Sequence, residues 1–368
     1  MERVMASQSI VSRETKRKLN GIYAMAIASI FSIVVFAYLP KVSGDVTYSF
    51  VLDEEWVLIQ QWVIDSRVGA YGFSALSVLF TALAYYLFRQ GKKHGLAIFG
   101  FSIGLFMSFL CWASAGDFVP FTGLLQGGLI LAVPLIYGSL AGLVCERSGV
   151  INIAIEGQLL GSAFIAGIVG SLLQNAWYGL LVGPFAGALI SVLLAVFAIK
   201  YRIDQVILGF VINVLIIGLT SFAAQRFLTQ DPDKWNSSPI LKPIDIPILS
   251  KLPIIGPMFF SQTVIIYLLY VIIVVTQIAL FKSKWGLRMR SVGELPVAAE
   301  SVGIDVNKVR FRNVIIAGAI AGFGGAYFTV GSVGSFSREM TAGMGFIALA
   351  ALIFGRWTPL GALSAALV

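Results

Sequence analysis

The chain has 368 residues, of which 58% are hydrophobic and only 12% charged, with 26 Lys and Arg against 18 Asp and Glu and a formal net charge of +8. A water-soluble fold cannot hide that much apolar surface, which excludes a soluble enzyme or binding domain. The basic residues form no single face interleaved with aromatics, which argues against a nucleic-acid partner, and two separated cysteines with one histidine leave no zinc or redox pattern.

A basic arm over 1–20, with Arg3, Arg13, Lys16, Arg17 and Lys18, precedes an apolar run at 21–39. That run is long enough to cross a membrane and no small-residue cleavage site follows it, so it reads as a retained helix and not a secretory leader. Further spans are expected at 69–88, 95–115, 121–145, 150–173, 178–199, 204–224, 263–281 and 313–330, with a shorter run at 345–355 and an unfinished one from Leu360. The stop at Val368 inside an apolar run implies a natural C-terminus further on.

Strict alternation puts the N-terminal arm, the Arg89 to Lys93 turn, Arg147, the Lys200 to Arg202 turn and the 282–312 segment on one side. The acidic group Asp45, Asp53, Glu54, Glu55 and Asp65 and residue Asp117 fall on the other. By the positive-inside bias the N-terminus is cytoplasmic, and the expected location is a bacterial inner membrane, crossed many times. The 225–262 segment lies outside and strains the rule with four basic residues; its apolar run from Leu252 to Phe260 should fold against the outer rim. The organisation expected is the arm, a three-helix membrane segment over 21–116 and a core over 117–368. The fold class is an all-α polytopic transmembrane bundle with discontinuous helices and a short cytoplasmic helix.

Polar groups at membrane depth are the candidate functional residues. Asn152 and Glu156 are four apart, which gives them one face of a helix, and Gly149 and Gly157 bracket them as in broken helices that present solute sites. The alternative for Glu156 is pairing with an Arg or capping a helix end. Gln205, Gly209 and Asn213 make one stripe whose amides suit hydroxyls and base edges, or else bond helix to helix. Asn152, Glu156, Gln205 and Asn213 should all face the bundle interior or a second subunit. The Gly138–Gly142 and Gly318–Gly322 pairs read as close-packing faces.

In the 282–312 segment, Pro296 suits a first helical turn, Val297 to Val302 can continue it, and Gly303 suits its end. A short helix flanked by glycine turns on both sides, with seven basic residues around it, either protrudes or lies on the membrane surface.

The run Val297-Ala298-Ala299-Glu300-Ser301-Val302-Gly303 resembles the EAAxxxG coupling motif of ABC importer permeases, with Val297 where the motif has Glu. The segments 146–157, 243–257 and 348–357 are similar to permeases of the ribose and branched-chain amino-acid type, and most to their nucleoside-importing, guanosine-type branch. The resemblance runs from Phe121 to the end; residues before it are not accounted for by shorter members of that branch. It implies a permease subunit that moves nucleosides delivered by an extracytoplasmic binding lipoprotein, with a second permease as heterodimer partner and a cytoplasmic ATPase carrying ATP-Mg. In this reading Leu295, Pro296, Val297, Ala298, Ala299, Glu300, Ser301, Val302 and Gly303 contact the ATPase. No GxxxxGK[ST] run occurs, so this chain has no phosphate-cradling loop and no cofactor or catalytic residue of its own is expected. An ion-coupled secondary transporter or a permease for simple sugars are the alternatives.

Overall fold

The computed structural model describes residues 2–39, 44–51, 56 and 61–368, with side chains from residue 15 onward. Asp53, Glu54 and Glu55, and the side chains of Arg3 and Arg13, lie outside the described residues. Nine of the helices described are long and apolar enough to span a membrane. The structure divides into two compact units, Met1–Leu124 with Lys251–Ile254, and Leu125–Ser250 with Ile255–Val368.

The first unit contains α1 (Glu2–Ser32), which runs on as a π-helical turn to Tyr38, α2 (Ser66–Arg89) and α3 (Gly95–Ala113). Its helices are apolar toward the outside and joined inside by hydroxyls. Ser32 Oγ and Ser74 Oγ are 2.7 Å apart, Ser74 and Ser108 2.8 Å, and Ser29 and Thr81 3.2 Å. Small hydroxyl residues let the backbones approach and satisfy one another where no water is present. A three-stranded sheet, which hydropathy did not anticipate, sits in the same unit: β1 (Asp45–Ser49) pairs antiparallel with β2 (Trp62–Asp65) and parallel with β3 (Phe118–Pro120).

The second unit holds nearly all of α4 (Phe121–Glu146), then α5 (Ile155–Leu172), α6 (Ala176–Ala195, continued as a π turn to Lys200), α7 (Gln205–Ala223) and the short α8 (Pro232–Trp235). After β4 (Ile244–Asp245) and β5 (Ser261–Gln262) come α9 (Val264–Lys282), α10 (Lys284–Glu294), α11 (Pro296–Ser301), α12 (Val306–Ala326), α13 (Met344–Phe354) and α14 (Pro359–Leu367). In α4, α5 and α12, 78% of the apolar window is buried, against 39% in α6 and 33% in α7 and α9, which makes the first three the inner helices. The α6–α12 crossing is glycine on glycine: a Cβ on Gly322 would lie 2.6 Å from Pro184 Cα, and one on Gly187 would meet the Gly318 carbonyl. The Gly138–Gly142 face packs on Ile155, Ala348 and Leu352. The 236–241 stretch is bonded to the chain after α12, which runs on as a π-helical turn over Tyr327–Val333: Ser238 N donates to Gly334 O at 2.8 Å, Leu241 N to Val330 O at 2.8 Å and Asn236 Nδ2 to Phe336 O at 3.0 Å.

Three sequence expectations need correction. Helix α5 begins at Ile155 and not at 150, because Ser148 Oγ donates to the Cys145 carbonyl and Gly149 takes φ +80°, ending α4 and leaving 150–152 irregular and 153–154 in a turn. Helix α12 starts at Val306, a turn and more before 313, since the Asp305 side chain accepts from Lys308 N at 3.0 Å and caps it. Gly293 is no turn: it lies in α10, where a Cβ would strike the Arg147 carbonyl, so it is glycine for close approach.

Candidate functional site at a broken helix

Of the four polar residues singled out from the sequence, Asn152, Gln205 and Asn213 meet at the unwound stretch between α4 and α5, and Glu156, just after it, turns to α13. Unpaired backbone at membrane depth costs several kcal/mol per group, so such a stretch needs partners from its neighbours. Helix α7 supplies them as a rail. Gln205 Oε1 accepts from Ile151 N at 2.7 Å, Gly209 leaves room for Ile153, and Asn213 accepts from Gly157 N at 2.8 Å while donating to Ile153 O at 2.9 Å. The i, i+4, i+8 stripe therefore faces backbone, with Asn213 buried and Gln205 half-buried.

Asn152 does not share a helical face with Glu156, because it precedes the helix. It is fully buried and pairs with Gln158, Nδ2 donating to Oε1 at 3.0 Å, and Gln158 Nε2 donates in turn to Ser191 Oγ at 2.8 Å. Gln158 and Ser191 were missed; the place of Gln158 between Gly157 and Gly161, and of Ser191 four and eight residues after Gly187 and Gly183, was the available signal. Gly157 lies inside α5, and its missing side chain admits Asn213.

Glu156, in the first turn of α5, takes two donors from the loop before α13 and one from its first turn: Thr341 Oγ1 at 2.6 Å and Gly343 N at 2.9 Å on Oε1, and Gly345 N at 2.6 Å on Oε2. Among the described residues no Arg pairs with it; it caps the start of α13, where exposed N–H groups and the helix dipole favour a carboxylate. Gly343 reaches this position with φ +81°, and a Cβ on Gly345 would lie 2.5 Å from Glu156 N. Thr341 was not singled out from sequence, since nothing local links it to a residue 185 positions away.

The break is also joined to α10–α12. Val292, Ala299 and Val306 form one small cluster across α10, α11 and α12. From it, Gly293 abuts Arg147, and Arg310 Nε donates to Ser148 O at 3.2 Å. Arg147 reaches Trp357 O at 2.7 Å, and Trp357 Nε1 donates to Glu146 at 2.5 Å. Asp305 pairs with Lys308 Nζ at 3.0 Å, and the Lys308 N–H foremost holds its carboxyl below the usual carboxylate range. Ala299 faces this cluster at 2% exposure, so of the nine residues expected to contact the ATPase it alone is buried; Leu295, Val297 and Val302, at 61%, 75% and 73%, are the large apolar residues left open, beside exposed Ala298, Glu300 and Ser301. A cavity of about 510 Å³ lies between, with Ile151 and Gln205 on one wall and Pro296, Val297 and Glu300 on the other.

Residues 124–368 match the family described as branched-chain amino acid transport system / permease component. The chain belongs to that family. The nucleoside ABC transporter permease protein NupC of Lactococcus lactis subsp. cremoris is 38% identical over 249 residues, 65% of this chain and 77% of NupC. The guanosine ABC transporter permease proteins NupQ and NupP of Bacillus subtilis are 40% and 26% identical, over 65% and 63% of this chain and 77% and 68% of their own. No solved structure matches the chain. With nine helices among the described residues long and apolar enough to cross a membrane, the permease is a multi-pass membrane protein, and it is a transport subunit rather than an enzyme.

Proposed function

We propose that this permease is one of two related membrane subunits of an ABC importer for nucleosides. The observation that carries the reading is the similarity of residues 124–368 to permeases named for nucleoside and guanosine transport. NupQ and NupP are two distinct permease proteins named for guanosine in one organism, which favours a heterodimer. A binding lipoprotein delivers the solute on one side, and an ATPase with ATP-Mg acts on the other, the side of the N-terminus.

In this reading the ATPase seats on Leu295, Val297 and Val302 of the α11 segment, and its closure moves α10–α12 as one body. Gly293 and Arg310 pass that movement to the 147–149 turn, which shifts the unwound stretch against the α7 rail. Asn152, Glu156, Gln205 and Asn213 hold the wall of the solute path in shape, with Gln205 nearest the open cavity. Substrate contact by any of the four would come through a change in these bonds.

The test is uptake into proteoliposomes. The permease with its co-purifying subunits should accumulate radiolabelled guanosine only with ATP inside the ATPase compartment and binding protein outside. Uptake by this chain alone on an ion gradient would replace the reading with a secondary carrier, and ATP-driven uptake of glucose without guanosine would reassign the substrate.

A further inference from the structure

We propose that a second crevice, at the end of α6 and the start of α12, is a binding site for one anionic phospholipid. It has a volume of about 490 Å³ and two chemically different halves. Val196, Ile199 and Phe311 give an apolar floor, while Lys200, Arg202, Lys308 and Arg312 stand around it. Lys308 is engaged by Asp305. Lys200, Arg202 and Arg312 have no carboxylate within ion-pairing distance among the described residues, and all three are exposed. Three unpaired cations at one membrane-facing crevice create a positive field that a phosphodiester neutralises, with guanidinium forks suited to its oxygens.

Charge alone would serve a free phosphate equally well; the apolar half decides for a lipid. Leu181, Phe185, Leu189, Leu193 and Phe197 recur every fourth residue down α6, exposed along its whole length, and end beside Val196. This ridge is a track for acyl chains that leads to the cationic rim. Tyr201 closes it, with its ring 5.6 Å from that of Phe197 and Lys200 Nζ 5.7 Å from its centroid, the arrangement of an interfacial aromatic anchor. Arg202, held at φ +55° in the tight α6–α7 connection, a backbone state that non-glycine residues adopt at a cost, lines both this crevice and the 510 Å³ cavity beside it. Basic crevices between helices at a bilayer surface are suited to anionic headgroups.

Delipidated permease, purified with the subunits that accompany it, is titrated with phosphatidylglycerol or phosphatidylcholine and examined by native mass spectrometry. One phosphatidylglycerol should bind in preference to phosphatidylcholine. Arg202→Gln with Arg312→Gln should weaken that event about 25-fold, roughly fivefold per cation removed, while Lys92→Gln with Lys93→Gln, a control in the other unit, leaves it unchanged. Both variants must elute as the wild type does. Equal retention of phosphatidylglycerol by the Arg202/Arg312 variant overturns the proposal. So does displacement by inorganic phosphate at matched concentration, which would make this a soluble-anion site. Protection of Arg312→Cys from thiol reagents only when the co-purifying subunits are bound would give the crevice to a protein partner, and also overturns it.

Discussion

Asn213 grips the chain on both sides of the start of α5, accepting from Gly157 N at 2.8 Å and donating to Ile153 O at 2.9 Å with one amide. Replacing Asn213 with Leu removes both bonds from a buried place and strands two backbone groups, at about 1–3 kcal/mol each. Gln205→Leu strands only Ile151 N, and that residue is 44% exposed, so water can replace the lost acceptor. Asn213→Leu should therefore lower the thermal midpoint of the purified permease clearly more than Gln205→Leu. Equal midpoints would show that the rail is not what holds the unwound stretch.

Glu156→Gln tests the cap on α13. The amide keeps an acceptor for Thr341 and Gly343 but turns an N–H toward Gly345 N, so one bond becomes a donor facing a donor. The protein should still assemble, with about 1.5–3 kcal/mol less stability, the range for a hydrogen bond to a charged group, and with reduced uptake. Thr341→Val should produce a smaller loss of the same kind. Wild-type melting and uptake in both variants would remove the clamp from the account.

The α6–α12 crossing predicts a contrast among glycines. Gly322→Ala brings a Cβ against Pro184 and the Gly183 carbonyl, neither of which can rotate away, and overpacking of this sort costs about 1–3 kcal/mol. Gly218→Ala, with nothing within 4 Å of the new Cβ, should be neutral or mildly stabilising. Detergent-resistant yield after mild heating separates the two, and equal yields would mean the helices can part without loss.

At the α11 segment, Ala299→Arg buries a long charged chain in the Val292–Val306 cluster and should unfold the segment itself. Val297→Glu and Val302→Glu alter the open face only, and should leave melting unchanged while abolishing co-purification of the ATPase. ATPase retained by both valine variants would move the docking surface elsewhere.

The spans were legible because lipid demands long apolar runs, and the nine helices fall where hydropathy put them, to within a few residues at most ends. The break before Ile155 was half legible: Gly149 and the polar residues marked it, but whether 150–154 was helical depended on Gln205 and Asn213, fifty residues away. Helix α10 went unseen because the glycine before Pro296 read as a turn; Gly286 and Gly293 are both helical, and each sits against a carbonyl of a neighbouring segment. Met289 and Val292, three apart with Arg288 and Arg290 beside them, were the signal for its buried face. The Thr341–Glu156 bond had no local trace at all, since it is made by topology.

That bond also orders the chain's biogenesis. The hydroxyl contacts among α1, α2 and α3 all fall within the first 124 residues and can close while the rest is still on the ribosome. Glu156 cannot be served in the same way, because its three donors lie at 341–345 and emerge 185 or more residues after it. For most of synthesis the start of α5 carries a carboxylate without those donors, which favours a shallow, water-accessible position for that helix until α13 arrives. Final seating of the inner helices is thus a late step, and membrane quality-control proteases would meet the unclamped α5 in any chain stalled before residue 341.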